Sequence, residues 1–468
     1  MYDFLRYVLY ELRSILLVVM LALIPAAGVL AAIYIRHRKR YGKELPFPWG
    51  RVILYFLLAG YLFVLFCVTL LRRMDGWREI SFHPFRAWRE AWNDFSFKSW
   101  ANVLLNVGLF VPAGFLMPVL WEKMRKWYRT VPAALGLSLI VELVQLALAR
   151  GVCDIDDLIA NTLGGILGFF LAMALLGLKN KERLFRYTGL VLGTLAVLAL
   201  PFGLYGLKTY GNLPQAPAYR LNTAETQWIL DCTLPLVPDT APVYRTQTLR
   251  RADCDEIARL LTDLSGSEIG VTSFYQEMAY YNLDNGILKV YYHDGSWEYL
   301  SSHHWDLVFD SSEEEEIQWP LWDRKQVEAA LEPYPVRIPE KAIFTSEEEG
   351  WYCFSCDALV DGDSFWDGDL RCRFTPDGAV SEIQAGLIPF TYHSDASVLS
   401  GEAAWERLQK GWFRDDLGYS RRTPDTVSTS SCTFGYTVDT KGFYQPVWRF
   451  TLTGNNGFSG EVLIPALQ

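Results

Sequence analysis

Six mostly apolar stretches, each near the length of a membrane span, fill the first 207 positions of this chain, and none follows them. They lie at roughly 12–35, 52–71, 102–121, 131–149, 156–178 and 188–207. A bilayer's hydrocarbon core takes about 20 such residues per helix, so these runs set the architecture. Charge divides the chain at the same place. Residues 1–208 carry 24 Lys and Arg against 13 Asp and Glu; residues 209–468 carry 19 against 40. A basic, apolar front and an acidic, polar rear exclude a single soluble domain. They also exclude nucleic acid as a partner, because the rear half would repel phosphate and the front-half cations sit between apolar runs. The expected fold is an α-helical polytopic membrane bundle of about six transmembrane helices. An α+β extracytoplasmic region of antiparallel sheets with few helices follows it.

Lys and Arg are denser in the loops around 36–51, 123–129 and 179–186 than in those between, which places these loops in the cytoplasm. The N-terminus and everything after about residue 207 then lie outside. The expected organisation is a bundle over 1–207, a linker over 208–222 marked by Pro214 and Pro217, and two extracytoplasmic modules over 223–320 and 321–468. Interleaved aromatic and basic residues in the loop 72–101 suit the membrane–water interface.

Polar residues inside spans are costly and call for a reason. Ser138, Glu142 and Gln145 recur at i, i+4 and i+7, one stripe of the fourth span. A tight acidic turn, Asp154, Asp156 and Asp157, opens the fifth, where Asn161 and the close-packing residues Gly164, Gly165 and Gly168 follow. Asn102 and Asn106 open the third on the same side. These side chains gather near one mouth of the bundle. Caps and cross-helix hydrogen bonds would account for Asp154 and Asp156 as readily as a ligand would. A metal site here would use hard oxygen ligands and so take Ca²⁺ or Mg²⁺ rather than zinc, since no His lies in this stretch; the expectation is no metal ion and no cofactor.

Three elements then stand in order: Asn106-x-x-x-Phe110-x-Pro112-x-Gly114-Phe115, the Ser138–Gln145 stripe, and Asp154-Ile155-Asp156-Asp157-x-x-x-Asn161-Thr162-x-Gly164-Gly165-x-x-Gly168. Together, over about 55–178, they resemble the VanZ-like family of bacterial membrane proteins, named for a protein that raises resistance to the glycopeptide teicoplanin. Ser81 and Phe82 depart from an Asn-Leu pair that the family carries. The resemblance implies a place in the cell envelope and a link to antibiotic resistance. It implies no defined reaction. On it, Asn106, Glu142, Gln145, Asp154, Asp156, Asp157 and Asn161 are the candidate ligand-binding residues. The partners would be membrane lipids and a lipid-linked wall precursor or a glycopeptide.

In the rear half, alternating segments such as Ile287–Tyr292, Leu370–Phe374 and Val447–Leu452 read as strands, with turn signals at Asp284-Asn285-Gly286, Asp294-Gly295 and Asp377-Gly378. Helices are expected at Asp253–Leu264, Arg324–Leu331 and Gly401–Lys410. The last stretch is similar to PepSY-like and YycH/YycI-type extracytoplasmic modules, which implies a helix packed on antiparallel strands. Cys232, Cys254, Cys353, Cys356, Cys372 and Cys432 form an even outer set compatible with disulfides, and their spacing leaves the pairing open. Hydrolase, zincin and nucleotide-binding motifs are lacking, so no catalytic residue is assigned. Two further readings stand beside ligand binding: a membrane-embedded enzyme acting on a lipid-linked envelope substrate, and an extracytoplasmic sensor or adaptor that regulates an envelope protein partner.

Overall fold

The computed structural model describes residues 28–29, 31–40, 48–71, 79–148, 152–246, 249–275, 278–302, 319–361, 364–419 and 423–468. The chain divides into two compact units, Met1–Leu207 and Lys208–Gln468. In the first, α1 (Trp49–Phe66) runs on into a π-helical turn, Cys67–Leu71. The short α2 (Arg86–Asp94) precedes α3 (Phe97–Leu120), α4 (Trp127–Ala147), α5 (Ile155–Leu176) and α6 (Lys181–Leu207). All but α2 are long and apolar enough to span a membrane, which makes five such helices among the described residues. Of the run expected at 12–35, residues 12–27 and 30 lie outside the described residues; 28–29 and 31–35 are helical.

Local chemistry sets the helix starts. Ser96 caps α3 by accepting the Ser99 N–H at 3.1 Å, and Asp154 caps α5 by accepting the Asp156 N–H at 3.0 Å. Pro112 and Pro118 sit inside α3 without ending it, as membrane helices tolerate. Small residues set the packing. A Cβ on Gly164 would lie 1.9 Å from the Val107 carbonyl oxygen, and one on Gly168 2.1 Å from that of Val111. Helix α5 therefore meets α3 backbone to backbone. On α4 the buried stripe is Thr130, Ala134, Ser138, Glu142 and Gln145, while Leu135, Leu139, Ile140 and Leu143 are exposed. The pattern is that of a soluble helix turned inside out.

The second unit is built on one mixed sheet. Its strands are β3 (Gln227–Leu230), β4 (Thr240–Arg245), β5 (Ile269–Phe274), β6 (Met278–Leu283), β7 (Gly286–Tyr291), β8 (Trp297–Ser301), β9 (Ile343–Ser346) and β10 (Trp351–Asp361). The series continues with β11 (Ser364–Phe374), β12 (Val380–Ala385), β13 (Ile388–Ser397), β14 (Thr426–Val438), β15 (Phe443–Gly454) and β16 (Ser459–Pro465). The main order is β3-β14-β15-β4-β13-β11-β12-β8-β7-β6-β5. All pairings in it are antiparallel except β3 with β14. A separate parallel pair, β1 (Glu79–Ser81) with β2 (Val152–Asp154), belongs to the first unit.

Three helices accompany the large sheet where the sequence pattern placed them: α7 (Arg251–Ser265), α8 (Arg324–Leu331) and α9 (Gly401–Gln409). Asp253, the expected start of α7, instead sits at its third residue and accepts the Arg250 N–H at 2.7 Å. One core gathers Leu261, Tyr281, Val327, Phe354 and Phe374; a second gathers Leu408, Trp448, Phe450 and Ile464. The first core draws residues from both sides of position 320. Residues 208–222 pack on the sheet: Asp439 accepts the Gly211 N–H at 2.6 Å, and Leu213 and Leu221 are buried.

All eight cysteines are unbridged. The expected disulfide framework of Cys232, Cys254, Cys353, Cys356, Cys372 and Cys432 is not closed, and strand geometry supplies part of the reason. Cys372 lies opposite Tyr352, so it shares a face with that residue, while the next residue, Cys353, turns to the other face. Cys356 joins the same core as Cys372 and Cys254; Cys353 does not. Cys353 therefore faces away from both of its nearest candidates. Burial pushes the thiol of Cys254 up to about 11 and that of Cys372 up to about 12, which keeps both protonated.

Candidate functional site

The polar groups predicted at one mouth of the bundle do meet, but in two separate arrangements. The first is a set of cross-helix bonds. Gln145 donates its amide to the Thr69 carbonyl at 2.9 Å, at the end of the first described span, where helix carbonyls lack intrahelical partners. Asn161 donates to the Ser138 hydroxyl at 2.9 Å, joining α5 to α4. Glu142, 2% exposed, accepts the Asp154 N–H at 3.4 Å and so holds the β2 turn. These residues tie helices together.

Asp156 is spent on backbone as well. It is 2% exposed, and its two oxygens accept the N–H groups of Phe85 at 2.5 Å and Ala87 at 2.6 Å. It therefore caps α2 from another helix. Phe85 needs this support, because its φ of 63° is left-handed, a region unfavourable to a bulky side chain. Phe95, at the other end of α2, is also left-handed at φ 37°. Its ring stacks on Tyr205 of α6 with centroids 3.4 Å apart and also meets Trp100 and Phe202. Thus α2 is fastened at one end by a carboxylate and at the other by an aromatic cluster. The β1–β2 pair, with Ser81 opposite Asp154, fixes the approach to it.

The second arrangement is a cavity of about 150 Å³ between α2, α3 and α5. Polar groups line it: Glu90, Asp94, Ser99, Asn102, Asn106, Asp156 and Asp157. Asn106 donates to Asp157 at 2.5 Å, Ser99 donates to Asp94 at 3.1 Å, and Arg86 pairs with Glu90 at 2.8 Å. The Trp88 indole N–H at the wall is buried and has no hydrogen-bond partner among the described residues. Burial raises the Asp154 carboxyl above its ordinary range; the Asp156 N–H opposes that shift, and the Asp156 charge adds to it.

Of the seven expected residues, Asn106, Asp156 and Asp157 therefore line the cavity, whereas Glu142, Gln145, Asp154 and Asn161 do not. Glu142 of α4 instead meets the Asp154 N–H, apart from the residues that line this cavity. The missing wall comes from α2. Its Trp88, Glu90 and Asp94 were visible only as part of an amphipathic loop, and a polar–apolar alternation at helical spacing over 86–94 was the signal available. Among the described residues, no three His, Cys, Asp or Glu converge as a metal-ligand set.

A bundle of membrane-length helices, with a short amphipathic helix pinned across buried polar groups, defines a multi-pass membrane protein. Residues 52–177 match the VanZ/LLP1 family model. Protein VanZ of Enterococcus faecium is 39% identical over 77 residues, which are 16% of this chain and 45% of that protein. The chain thus spans less than half the length of this curated relative. A solved structure, the Bacillus megaterium YpeB C-terminal domain, aligns over 47% of this chain and 99% of its own, at 12% identity and a TM-score of 0.18. A score that low carries no conclusion about the second unit.

Proposed function

We propose that the chain is a VanZ-type protein of the bacterial cell envelope, with its N-terminus and second unit outside the cytoplasm. In this reading the α2–α3–α5 cavity holds the polar head of a lipid-linked or glycopeptide ligand. The observation that carries the reading is the cavity itself, walled by carboxylates and amides beside a buried indole N–H that has no acceptor among the described residues. Size narrows the ligand. A water takes about 30 Å³ of liquid volume, and pockets for whole drug-sized molecules run to about 300–1,000 Å³. A space of about 150 Å³ takes a small head and leaves any sugar or acyl portion outside.

Charge narrows it further. Glu90, Asp94, Asp156 and Asp157 line the cavity and no Lys or Arg does, so an ammonium or amide group enters in preference to a pyrophosphate. The test is teicoplanin tolerance in cells that express Asp157→Asn with Asn102→Ala, with membrane abundance measured alongside. Tolerance should fall at unchanged abundance. Wild-type tolerance in that double variant contradicts the reading.

A further inference from the structure

The second unit contains a much larger opening, and its origin lies in the sheet. Strand β11 keeps two successive partners along one edge: Leu370–Phe374 pair with β12, and Ser364–Asp367 pair with β13. Those partners then diverge. β12 goes on to pair with β8, and β13 with β4. The sheet splits between the start of β8 and the end of β4, and a cavity of about 650 Å³ occupies the split. Trp297, Leu370, Leu387 and Ile388 supply apolar lining; α7 contributes Ile257, and the loop after α8 contributes Val336. The volume lies in the range of small-molecule sites.

Two cations stand at this opening, Arg245 at the end of β4 and Arg337 in the Pro335–Pro339 loop. Neither has a carboxylate partner among the described residues. Arg245 lies over the Phe443 ring, 5.0 Å from its centroid, which holds its guanidinium in place without neutralising it. Elsewhere in this acidic half, Arg324, Arg371, Arg414 and Arg449 each face a carboxylate. Asp294, the acid in the lining, is already engaged by His293 at 3.1 Å and by Ser296 at 2.9 and 2.7 Å. The cavity is thus a positively charged spot in a strongly negative half. Its charge is uncompensated at a place shaped to hold an apolar body.

We infer that the split in the sheet binds an apolar molecule that bears one carboxylate, received by Arg245 and Arg337, with its body against Trp297, Leu370 and Leu387. Arginine suits this task, since its planar fork accepts a carboxylate through two parallel bonds. The inference concerns the second unit alone and does not depend on the reading of the bundle cavity. Two sources of such chemistry are a peptide C-terminus and a fatty acid.

The test uses the full chain in lipid nanodiscs, with empty nanodiscs as the blank. Calorimetric titration compares N-acetyl-Leu-Leu with its C-terminal amide, and octanoate with octanamide. At least one acid should bind about tenfold or more tightly than its amide, and the pair that does so identifies the source. That preference should vanish in the Arg245→Gln, Arg337→Gln double variant, whose unchanged melting temperature would show an intact fold. Equal binding of acid and amide, no binding of either acid, or a preference that survives in the double variant would overturn the inference.

Discussion

Helix α4 of the first unit and helix α7 of the second bury opposite chemistry. On α4 the buried stripe carries Ser138, Glu142 and Gln145, and leucines face outward. On α7 the buried stripe is Cys254, Ala258, Leu261 and Thr262, and the charges face outward. Each helix buries one stripe, but what surrounds the two is reversed. In lipid, an apolar face gains nothing by turning inward, so small residues and satisfied polar groups make the contacts. In water, the apolar face must be covered. A buried acid in the first unit therefore calls first for a structural partner, and only then for a ligand. Asp156, with both oxygens on backbone N–H groups, shows the rule; Asp157, at the cavity wall, is where it leaves room for function.

The strongest challenge to this contrast is a pair of truncations. Leu261→Ala in the second unit should cost about 2–5 kcal/mol, the usual penalty for emptying a packed core position. Leu139→Ala, on the outward face of α4, should cost under about 0.5 kcal/mol, as surface changes do. Chemical unfolding of each unit, followed by separate probes, measures both; similar costs would break the comparison. Asp156→Ala should approach the larger figure, at about 2–4 kcal/mol, because it leaves two backbone N–H groups without acceptors beside a strained Phe85. Faster proteolysis within 79–95 reads that loss directly, and wild-type protection would contradict the capping role.

A smaller effect distinguishes the strands. A β-bulge at Ser430 shifts β14 by one residue, so that Val427, Thr429 and Cys432 all face the second core. Cys232, just beyond the end of β3, packs against that same core beside β14. Mild oxidation followed by mass mapping should link Cys232 to Cys432 and leave Cys353 unlinked to Cys356. A Cys353–Cys356 bridge would contradict the register of β10.

The smallest expected effect is electrostatic. Hydrogen bonds from the Arg250 backbone and side chain hold the Asp253 carboxyl below its ordinary range. A carboxylate depressed in the folded state stabilises above its unfolded pKa, and that contribution is lost as pH falls through the folded value. Asp253→Asn should therefore lower the melting temperature slightly near pH 7 and by less near pH 3. A difference that grows in acid would reverse the sign.

Much of this architecture is legible in the chain. Span length needs no tertiary information, and the Asp-Asn-Gly and Asp-Gly turns mark the β6–β7 and β7–β8 hairpins directly. The polar stripe of α4 is visible because its spacing of four and three belongs to one helix. What one sequence conceals is which distant partner each group meets. Nothing near Asp156 reveals that its acceptors serve residues 69 and 71 positions earlier. Nor does the 86–94 stretch announce that Glu90 and Asp94 complete a cavity with α3 and α5. The continuous sheet is hidden for the same reason, since β4 sits between β15 and β13, each about 150 to 200 residues later.

The cavity's side of the membrane is the claim on which the functional reading stands. In a variant whose native cysteines are replaced by serine, Glu90→Cys should react with a membrane-impermeant maleimide on intact cells, as an outward-facing mouth requires. Reaction only after the membrane is permeabilised would place that mouth in the cytoplasm and contradict the account.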